Sequence, residues 1–183
     1  MTSTQWTLGP DNGELTLKTG VTGRAAKMGH RLTLVMTQWT VTVEWHDGEP
    51  VSASLVVPLD SLEAVRGEGG IKALSGPEKP LVRANALKAL DAKKFPEVRF
   101  EATTIDRTDT GYRLTGTLKL HGQSRDQVID VAASQSDGTW TLSAEASVRQ
   151  SNFGIKPFSQ MMGALQVVDD VALSFAATYS PAG

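Results

Sequence analysis

The sequence contains no cysteine, and this absence removes a whole class of chemistry. Without a thiol, the chain has no disulfide, no thiolate nucleophile and no thiolate ligand for a metal. The lack of cysteine also fits a reducing compartment, where disulfides are rare. A chain of 183 residues can bury about 70% of its unfolded surface. We therefore expect one domain over residues 1–183 that is stabilised by its hydrophobic core alone.

Net charge is nearly absent as well. The 18 basic residues are balanced by 20 acidic ones. A nucleic-acid-binding face needs clustered Lys and Arg, and an acidic interaction tail needs the opposite composition. Neither pattern is visible in the sequence, so we expect no nucleic-acid partner.

Long hydrophobic segments are missing too. The longest nearly apolar run, residues 171–177, is far shorter than the roughly 20 residues that a transmembrane helix requires. Residues 1–6 contain neither the basic segment nor the apolar segment of a secretory signal. We therefore expect a cytoplasmic protein without a transmembrane segment.

Recognisable catalytic and metal-binding motifs do not occur. The three histidines, His30, His46 and His121, share no i,i+2 or i,i+4 spacing that would favour a zinc site. The sequence has no Gly-x-Ser-x-Gly nucleophile elbow and no Walker loop, and no pair of carboxylates stands out. These absences favour a binding module without cofactor or metal over an enzyme.

Alternating hydrophobicity is what the sequence does have, most clearly over residues 30–45. Strict alternation is typical of a strand with one buried face. Here the apolar residues occupy first even and then odd positions: Leu32, Leu34, Met36, Trp39, Val41, Val43 and Trp45. This change of phase predicts a β-bulge or bend near Thr37 and Gln38. A long strand that bends is what a sheet needs in order to close into a barrel.

The rest of the chain predicts further strands with helical interruptions. Residues 60–63 have the pattern of a helix start, and the glycine-rich residues 66–80 indicate a loop. A helix is expected from Pro80 or Leu81 to about Lys93, and a short one over residues 158–165. Alternating segments between turn signals give about eight strands, which favours an all-β barrel or sandwich.

Small residues are common on the faces that the alternation assigns to the interior: Ala53, Ala102, Gly116, Ala133, Ala144, Ala146 and Ala177. One interpretation is an apolar tunnel that holds a hydrocarbon chain, because these side chains leave volume unfilled. The other is that they lie where helices or sheets cross closely. The pattern leaves both interpretations open.

One irregular segment in the second half concentrates large apolar side chains: Phe153, Phe158, Met161, Met162 and Leu165. Methionine suits a surface that adapts to a flexible partner. The segment therefore plugs one end of the barrel or lines a mouth that contacts ligand, and these two interpretations are compatible.

Four motifs resemble those of the YceI family and follow the order of that family. They are Ala-Ala-Lys-Met-Gly-His at 25–30, Leu-Asp-Ala-Lys-Lys-Phe-Pro-Glu-Val-Arg-Phe at 90–100, Gly-Thr-Leu-Lys-Leu-His-Gly at 116–122 and Arg-Gln-Ser-Asn-Phe-Gly-Ile at 149–155. Each motif is weak alone, but together they span nearly the whole chain. Exported members carry a signal that this sequence lacks, so it resembles a cytoplasmic branch.

The resemblance implies an all-β fold with short helices. The expected form is an eight-stranded antiparallel lipocalin-like β-barrel, with a helical insertion between strands and a short helix before the last strand. It also implies binding of a polyisoprenoid or other long-chain lipid along the barrel axis, often in a homodimer, and it implies no catalytic residues.

The favoured hypothesis is therefore a non-catalytic lipid carrier. The lipid tail would contact inward side chains, namely Met36, Trp39, Phe100, Leu114, Leu118, Trp140 and Phe175. Phe153, Phe158, Met161 and Met162 would line or close the mouth. A polar or anionic head group would contact His30, Arg149 and Lys156, because Arg and Lys donors suit phosphate.

Two other hypotheses stay open at this point. A lipid-modifying barrel enzyme predicts a polar group with a perturbed pKa that faces the cavity. A packed scaffold that acts through its surface predicts no continuous cavity at all.

Overall fold

The structure, a computed structural model, describes residues 2–181 and is mostly β. Within these residues, one α-helix, α1 (Lys79–Ala89), accompanies fourteen strands. The strands are β1 (Ser3–Leu8), β2 (Gly13–Lys18), β3 (Val21–Thr22), β4 (Arg31–Met36), β5 (Thr40–His46), β6 (Glu49–Pro58), β7 (Leu62–Glu68), β8 (Glu97–Arg107), β9 (Gly111–Leu120), β10 (Gln123–Ser136), β11 (Thr139–Arg149), β12 (Ser159–Gln160), β13 (Leu165–Val167) and β14 (Asp170–Tyr179). None of the helical segments in residues 2–181 combines the length and the hydropathy of a membrane-crossing helix.

Eleven of these strands form one sheet, in the order β1-β5-β6-β8-β9-β10-β11-β14-β2-β4-β7, and the other three form a small sheet, β12-β13-β3. Every pairing in the large sheet is antiparallel. The two ends of the large sheet belong to the same three chain segments, because β1 leads into β2, β4 into β5 and β6 into β7. These connections bring the two ends of the sheet back towards each other, so that the sheet curls and its concave face lines an interior.

The prediction of a mostly β, antiparallel fold is confirmed, but the predicted count of eight strands is wrong. The described residues contain an eleven-stranded sheet. The count differs because three long segments are each divided by a bend or loop, and each half pairs at a different end of the sheet. Hydrophobic alternation alone does not show where such a division falls.

The bend predicted near Thr37 and Gln38 is present. β4 ends at Met36 and β5 begins at Thr40. The Thr37 backbone N–H and hydroxyl both donate to the carbonyl of Ser61, at 2.9 and 2.8 Å. The Ser61 hydroxyl lies 3.1 Å from the carbonyl oxygen of Gln38. Ser61 is buried, and these bonds satisfy backbone groups that the break removes from the sheet.

Two helix predictions are wrong. Residues 60–63, expected to begin a helix, belong to a 3-10 turn and to the start of β7, which pairs with β4. Residues 158–165, expected to be a short helix, contain β12, a 3-10 turn over Met161–Gly163 and the start of β13. The expected helical insertion is present as α1, but it ends at Ala89 rather than near Lys93. In both wrong cases, pairing with a distant strand overrides the local pattern.

The helix α1 packs against the outer end of the sheet. The Arg83 guanidinium on α1 donates from Nε to the carbonyl of Leu62 at 2.8 Å and also donates to the carbonyl of Asp60. These bonds tie α1 to the start of β7. The helix therefore covers one end of the enclosed interior rather than forming a separate unit.

Candidate ligand-binding cavity

The curled sheet encloses a cavity of about 600 Å³. Its volume lies within the range of roughly 300–1,000 Å³ that small-molecule sites usually have. Along β11, the cavity is lined by alternate residues, namely Trp140, Leu142, Ala144, Ala146 and Val148. At roughly 3.3 Å of rise per residue, Trp140 and Val148 are about 26 Å apart along the strand. The cavity therefore runs lengthwise through the fold.

Aromatic rings fill one end of the cavity. The ring of Trp6 lies 4.5 Å from that of Trp45 and 5.3 Å from that of Trp140, measured between centroids. Tyr112 packs edge-on against Trp45 at 6.3 Å, and Tyr179 backs Trp6 at 5.0 Å. Trp6, Trp45, Tyr112 and Trp140 all line the cavity. This end offers a wall of rings, and we call it the aromatic end.

The opposite end is built from segments that lie far apart in the sequence. The His30 imidazole lies with Nε2 2.8 Å from the carbonyl oxygen of Lys72, so Nε2 carries the proton in this bond. Met28 and Leu81 line the cavity and are also 49% and 61% exposed. Because they contact both the cavity and solvent, they mark an opening, which we call the mouth.

Several polar side chains line this end of the cavity, namely Thr19, His30, Glu78, Asn85, Gln160 and Gln166. The Glu78 carboxylate accepts bonds from the Ser75 hydroxyl at 2.7 Å and the Ser75 backbone N–H at 3.0 Å. These bonds, with the charges of His30 and Lys72 nearby, hold the pKa of Glu78 below its ordinary value. Glu78 thus remains a carboxylate that caps the turn before α1, which is a structural role.

The lining contains no Lys or Arg within residues 2–181. The described residues also contain no group of three His, Asp or Glu side chains that could hold a metal ion. The arrangement can therefore bury a long apolar chain and contact a small polar group at one end. The cavity wall of the described residues thus offers no Lys or Arg side chain to a phosphate.

The predicted site residues fall into two sets. Those that line the cavity are His30, Met36, Phe100, Leu114, Leu118, Trp140, Phe158 and Phe175. Those outside the lining are Trp39, Arg149, Phe153, Lys156, Met161 and Met162. Within the first set, the positions come from seven different strands and segments, so the curled sheet brings together what the sequence separates.

Trp39 lies outside the lining because the break in the strand extends over residues 37–39. Its ring packs edge-on against Phe175 at 5.2 Å and is only 2% exposed. Its Nε1 is buried without a hydrogen-bond partner in the described structure. Trp39 is therefore a core residue at the bend.

Phe153 is also a core residue. It belongs to a second buried cluster with Phe100, Leu118, Leu120 and Ile155. Its carbonyl lies 3.0 Å from Nδ1 of His121 and so accepts the proton of that nitrogen. Phe153 thus plugs the fold beneath the β9–β10 hairpin, which is one of the two interpretations of this segment.

The other four residues lie on the outside. Met161 and Met162 are exposed on the 3-10 turn between β12 and β13. Arg149 is exposed and donates to the Asp170 carboxylate at 3.0 Å. Lys156 is exposed as well. The geometry therefore gives no role at the cavity wall to the two basic residues predicted for a head group.

Sequence reasoning missed the contribution of α1 to the cavity. Leu81, Val82, Asn85, Ala86 and Ala89 all line it. The spacing of Val82, Ala86 and Ala89 is that of one helix face, so the signal was present in the sequence. Trp6 and Trp45 were missed as a pair, because their proximity depends on the pairing of β1 with β5.

The fold has parallels among known proteins. The model of the YceI-like domain matches residues 6–179. The structure of BcnA from Burkholderia cenocepacia aligns over 91% of this chain and 96% of that chain, with a TM-score of 0.67 and 15% identity. The YceI protein of Campylobacter jejuni aligns over 82% of this chain and 85% of that chain, with a TM-score of 0.63 and 15% identity.

A mutant of the Campylobacter jejuni protein, crystallised with a monobromobimane guest, gives a TM-score of 0.62 at 15% identity, over 82% of this chain and 85% of that chain. No match among curated proteins was found for the sequence. At this level of identity, the solved structures show a shared fold. The family model, in contrast, matches the sequence over nearly its entire length, and the chain therefore belongs to the YceI family.

Proposed function

We propose that the protein binds a single long-chain amphiphile, of polyisoprenoid or similar type, inside the cavity and does not react with it. The observation that carries this proposal is the lengthwise cavity of about 600 Å³ with its nearly continuous apolar wall. Burial of an apolar chain contributes about 0.8 kcal/mol for each CH2 group. A chain that fills such a cavity therefore binds without a strong polar anchor.

The wall also constrains the head group. A phosphate or carboxylate drawn inside the cavity would lose its water near the Glu78 carboxylate, with no Lys or Arg lining the cavity in the described structure. Burying an unpaired charge in this way is costly. A neutral head group, such as a hydroxyl or a carbonyl, fits better. Because Nε2–H of His30 donates to the Lys72 carbonyl, Nδ1 is the ring nitrogen that would contact a hydroxyl, which can both donate and accept.

The other hypotheses gain less support. A general acid or base works best with a pKa near the working pH. The pKa of Glu78 is shifted downward, away from neutrality, and its oxygens are bonded to Ser75. A packed scaffold predicts no cavity, which contrasts with the volume present. The homodimer and the cytoplasmic location stay predictions.

The proposal is tested by filling the cavity from its wall. Ala144 lines the cavity, and its neighbour Ser143 lies on the exposed face of the same strand. We expect Ala144→Phe to abolish retention of a long-chain isoprenoid alcohol, and Ser143→Phe to retain it. Native mass spectrometry of the protein after incubation with the alcohol measures the bound mass.

The same experiment can overturn the proposal. Circular dichroism establishes that both variants are folded. If the unmodified protein takes up no long-chain alcohol and carries no lipid after gentle purification, lipid binding is wrong. Equal uptake by the unmodified protein and Ala144→Phe would place the ligand outside the cavity and would also contradict the proposal.

A further inference from the structure

Exposed apolar side chains surround the mouth, and among them Met28 also lines the cavity, whereas Ile71, Met161 and Met162 do not. Met28 is 49% exposed, Ile71 87%, Met161 55% and Met162 103%. We propose that these residues, which we call the mouth patch, dock the protein on the surface of an anionic lipid bilayer. The proposal goes beyond ligand binding, because docking does not depend on which molecule the cavity holds.

The mouth patch is one surface rather than four scattered residues. Gln166 on β13 pairs with Thr22 on β3, and the Ala25 N–H donates to the carbonyl of Ala164 at 2.7 Å. These bonds place the methionine turn beside the segment that carries Met28. The bond between His30 and the Lys72 carbonyl fixes the loop that carries Ile71 against the same segment.

The methionine turn has an unusual backbone. Met161 and Met162 both have positive φ, 54° and 56°. The other non-glycine residues with positive φ in residues 2–181 are Asp47, Asp91, His121 and Asp137. Asp and His are enriched in this conformation, but an unbranched apolar side chain gains nothing from it. The fold thus keeps two large apolar side chains exposed at an unfavourable turn.

Charge identifies the partner. The three segments that build the mouth patch, residues 20–30, 69–75 and 154–168, contain Arg24, Lys27, Lys72 and Lys156. They contain no Asp or Glu, although acidic residues outnumber basic ones in the whole chain. Glu78 lies at this mouth with its carboxylate bonded to Ser75, and Glu68 precedes the segment 69–75, but basic residues are in excess around the exposed apolar side chains. An apolar surface with an excess of basic side chains is the pattern of a surface that binds anionic membranes.

A second copy of the chain is a poorer occupant for the mouth patch. In a two-fold dimer, each patch would face its own copy. The four basic residues would then lie opposite the same four, and like charges across an interface are unfavourable. A bilayer surface, in contrast, supplies phosphates to these residues and an apolar boundary to the methionines.

Docking at the mouth also has a consequence that rests on the proposed function. A lipid that leaves a bilayer beneath Met28 enters the cavity without crossing bulk water. The experiment below measures docking with vesicles that contain only ordinary phospholipids. A failure of docking is therefore distinguishable from a failure of ligand binding.

The test is co-sedimentation with vesicles of phosphatidylcholine, with or without phosphatidylglycerol. We expect binding to the anionic vesicles and roughly tenfold weaker binding after Lys27→Glu/Lys72→Glu, and added salt should weaken binding as well. The matched control is Arg107→Glu/Arg113→Glu, which makes the same change of charge near the aromatic end. It breaks exposed ion pairs with Glu49 and Asp130 and the contact of Arg107 with the Tyr112 ring, all far from the mouth, and should leave vesicle binding unchanged.

A second pair of variants tests the apolar contribution. Met161→Ser/Met162→Ser should reduce binding to anionic vesicles severalfold. Val51→Ser/Val128→Ser, which changes two exposed apolar residues on outer strand faces, should not. The proposal is overturned if the protein does not bind anionic vesicles, if it binds neutral ones equally well, or if each control variant has the same effect as its partner. The proposal is also overturned if analytical ultracentrifugation shows a dimer that Met161→Ser/Met162→Ser dissociates.

Discussion

Gly116 shows how a single residue can be placed on the correct face for the wrong reason. The alternation assigns it to the interior as one of the small residues that leave volume in the tunnel. In the structure, a Cβ at Gly116 would lie 2.1 Å from the carbonyl oxygen of Glu101 and 2.7 Å from Cα of Ala102. The pairing of β8 with β9 shifts in register between Ala102 and Thr104, beside this contact. Gly116 is therefore small because two backbones approach closely at a bulge.

This contact predicts the effect of adding one methyl group. Gly116→Ala should lower the free energy of unfolding by about 2 kcal/mol, the cost of overpacking a site whose neighbours are backbone atoms. Gly76→Ala is the control, because a Cβ at Gly76 meets nothing within 4 Å. Urea denaturation followed by circular dichroism measures both. Equal stability of the two variants would contradict the contact.

Ala144 and Ala146 are small for the reason that the sequence analysis gave. Both line the cavity, and so do Ala53 and the larger Leu142 and Val148. Gly116, in contrast, is small for a reason that neither interpretation included, which is contact with the neighbouring strand of the same sheet at a bulge. Whether a small residue leaves cavity volume or makes room for a backbone depends on the distance to the next strand. The sequence of one strand does not specify that distance.

At the scale of elements, the segment between β11 and β12 is held by one carboxylate. The Asp169 side chain accepts the Ser151 backbone N–H at 2.8 Å and also accepts from the Ser151 hydroxyl. The Gln150 N–H donates to the Asp169 carbonyl at 2.9 Å. Asp169 thereby fixes the 3-10 turn that carries Phe153 into the second buried cluster.

Asp169 predicts a pH dependence of stability. The Ser151 hydroxyl, the Ser151 N–H and the nearby Arg149 charge hold the pKa of Asp169 below its ordinary value of 3.8. A carboxylate whose pKa is lower in the folded state stabilises the fold above its unfolded pKa, and this contribution is lost as pH falls through the folded pKa. Asp169→Asn should therefore lower the melting temperature at pH 7, and the difference from the unmodified protein should begin to shrink as the pH falls below about 3.8 and should vanish once the pH is below the lower folded pKa.

Thermal unfolding by circular dichroism across this pH range measures the difference. Asp126→Asn, on the exposed face of β10, is the control and should show no such dependence. A difference for Asp169→Asn that stayed constant into acid would mean that the negative charge of Asp169 is not what stabilises the turn.

The sequence predicts most elements, and those it misses share one physical cause. Strands β8 to β11 pair with neighbours in the chain, so their alternation and their turns identify them. β7 is missed because it has only two inward apolar side chains, Leu62 and Ala64, and a glycine, Gly67, at its third inward position. Its partner, β4, also precedes it by about thirty residues. The segment 158–165 has apolar residues at helical spacing, but β13 pairs with β3, at the other end of the chain. Local pattern cannot show such pairings.

The candidate site is predicted to a similar extent. Side chains on regular strands, such as Phe100, Leu114, Leu118 and Trp140, are placed correctly in the cavity wall. Residues in irregular segments, such as Phe153 and Met162, are not, because alternation has no meaning outside a strand. The charge of Arg149 predicts a contact with a head group, but at the end of β11 its guanidinium donates to Asp170 instead.

At the scale of the whole molecule, the cavity has a direction. Rings of Trp6, Trp45 and Trp140 form its aromatic end, while His30, Glu78 and Asn85 lie at the mouth. An amphiphile gains most when its tail contacts the rings and its head group stays near the polar side chains and solvent. The proposed ligand therefore lies with its head group at the mouth, which also faces the proposed bilayer.

This orientation predicts which end of a ligand approaches the tryptophans. Three of the four tryptophans lie at the aromatic end, and Trp39→Phe removes the fourth from the measurement. A long-chain amphiphile with a nitroxide near its terminal methyl should quench the fluorescence of this variant strongly. The same amphiphile with the nitroxide beside its head group should quench it much less, because quenching requires close contact.

Stronger quenching by the head-labelled probe would reverse the orientation, and equal quenching would mean that the two ends of the cavity do not discriminate between the two ends of the ligand. Ala144→Phe, which fills the wall between the two ends, should abolish the quenching by both probes and so show that each acts from inside the cavity.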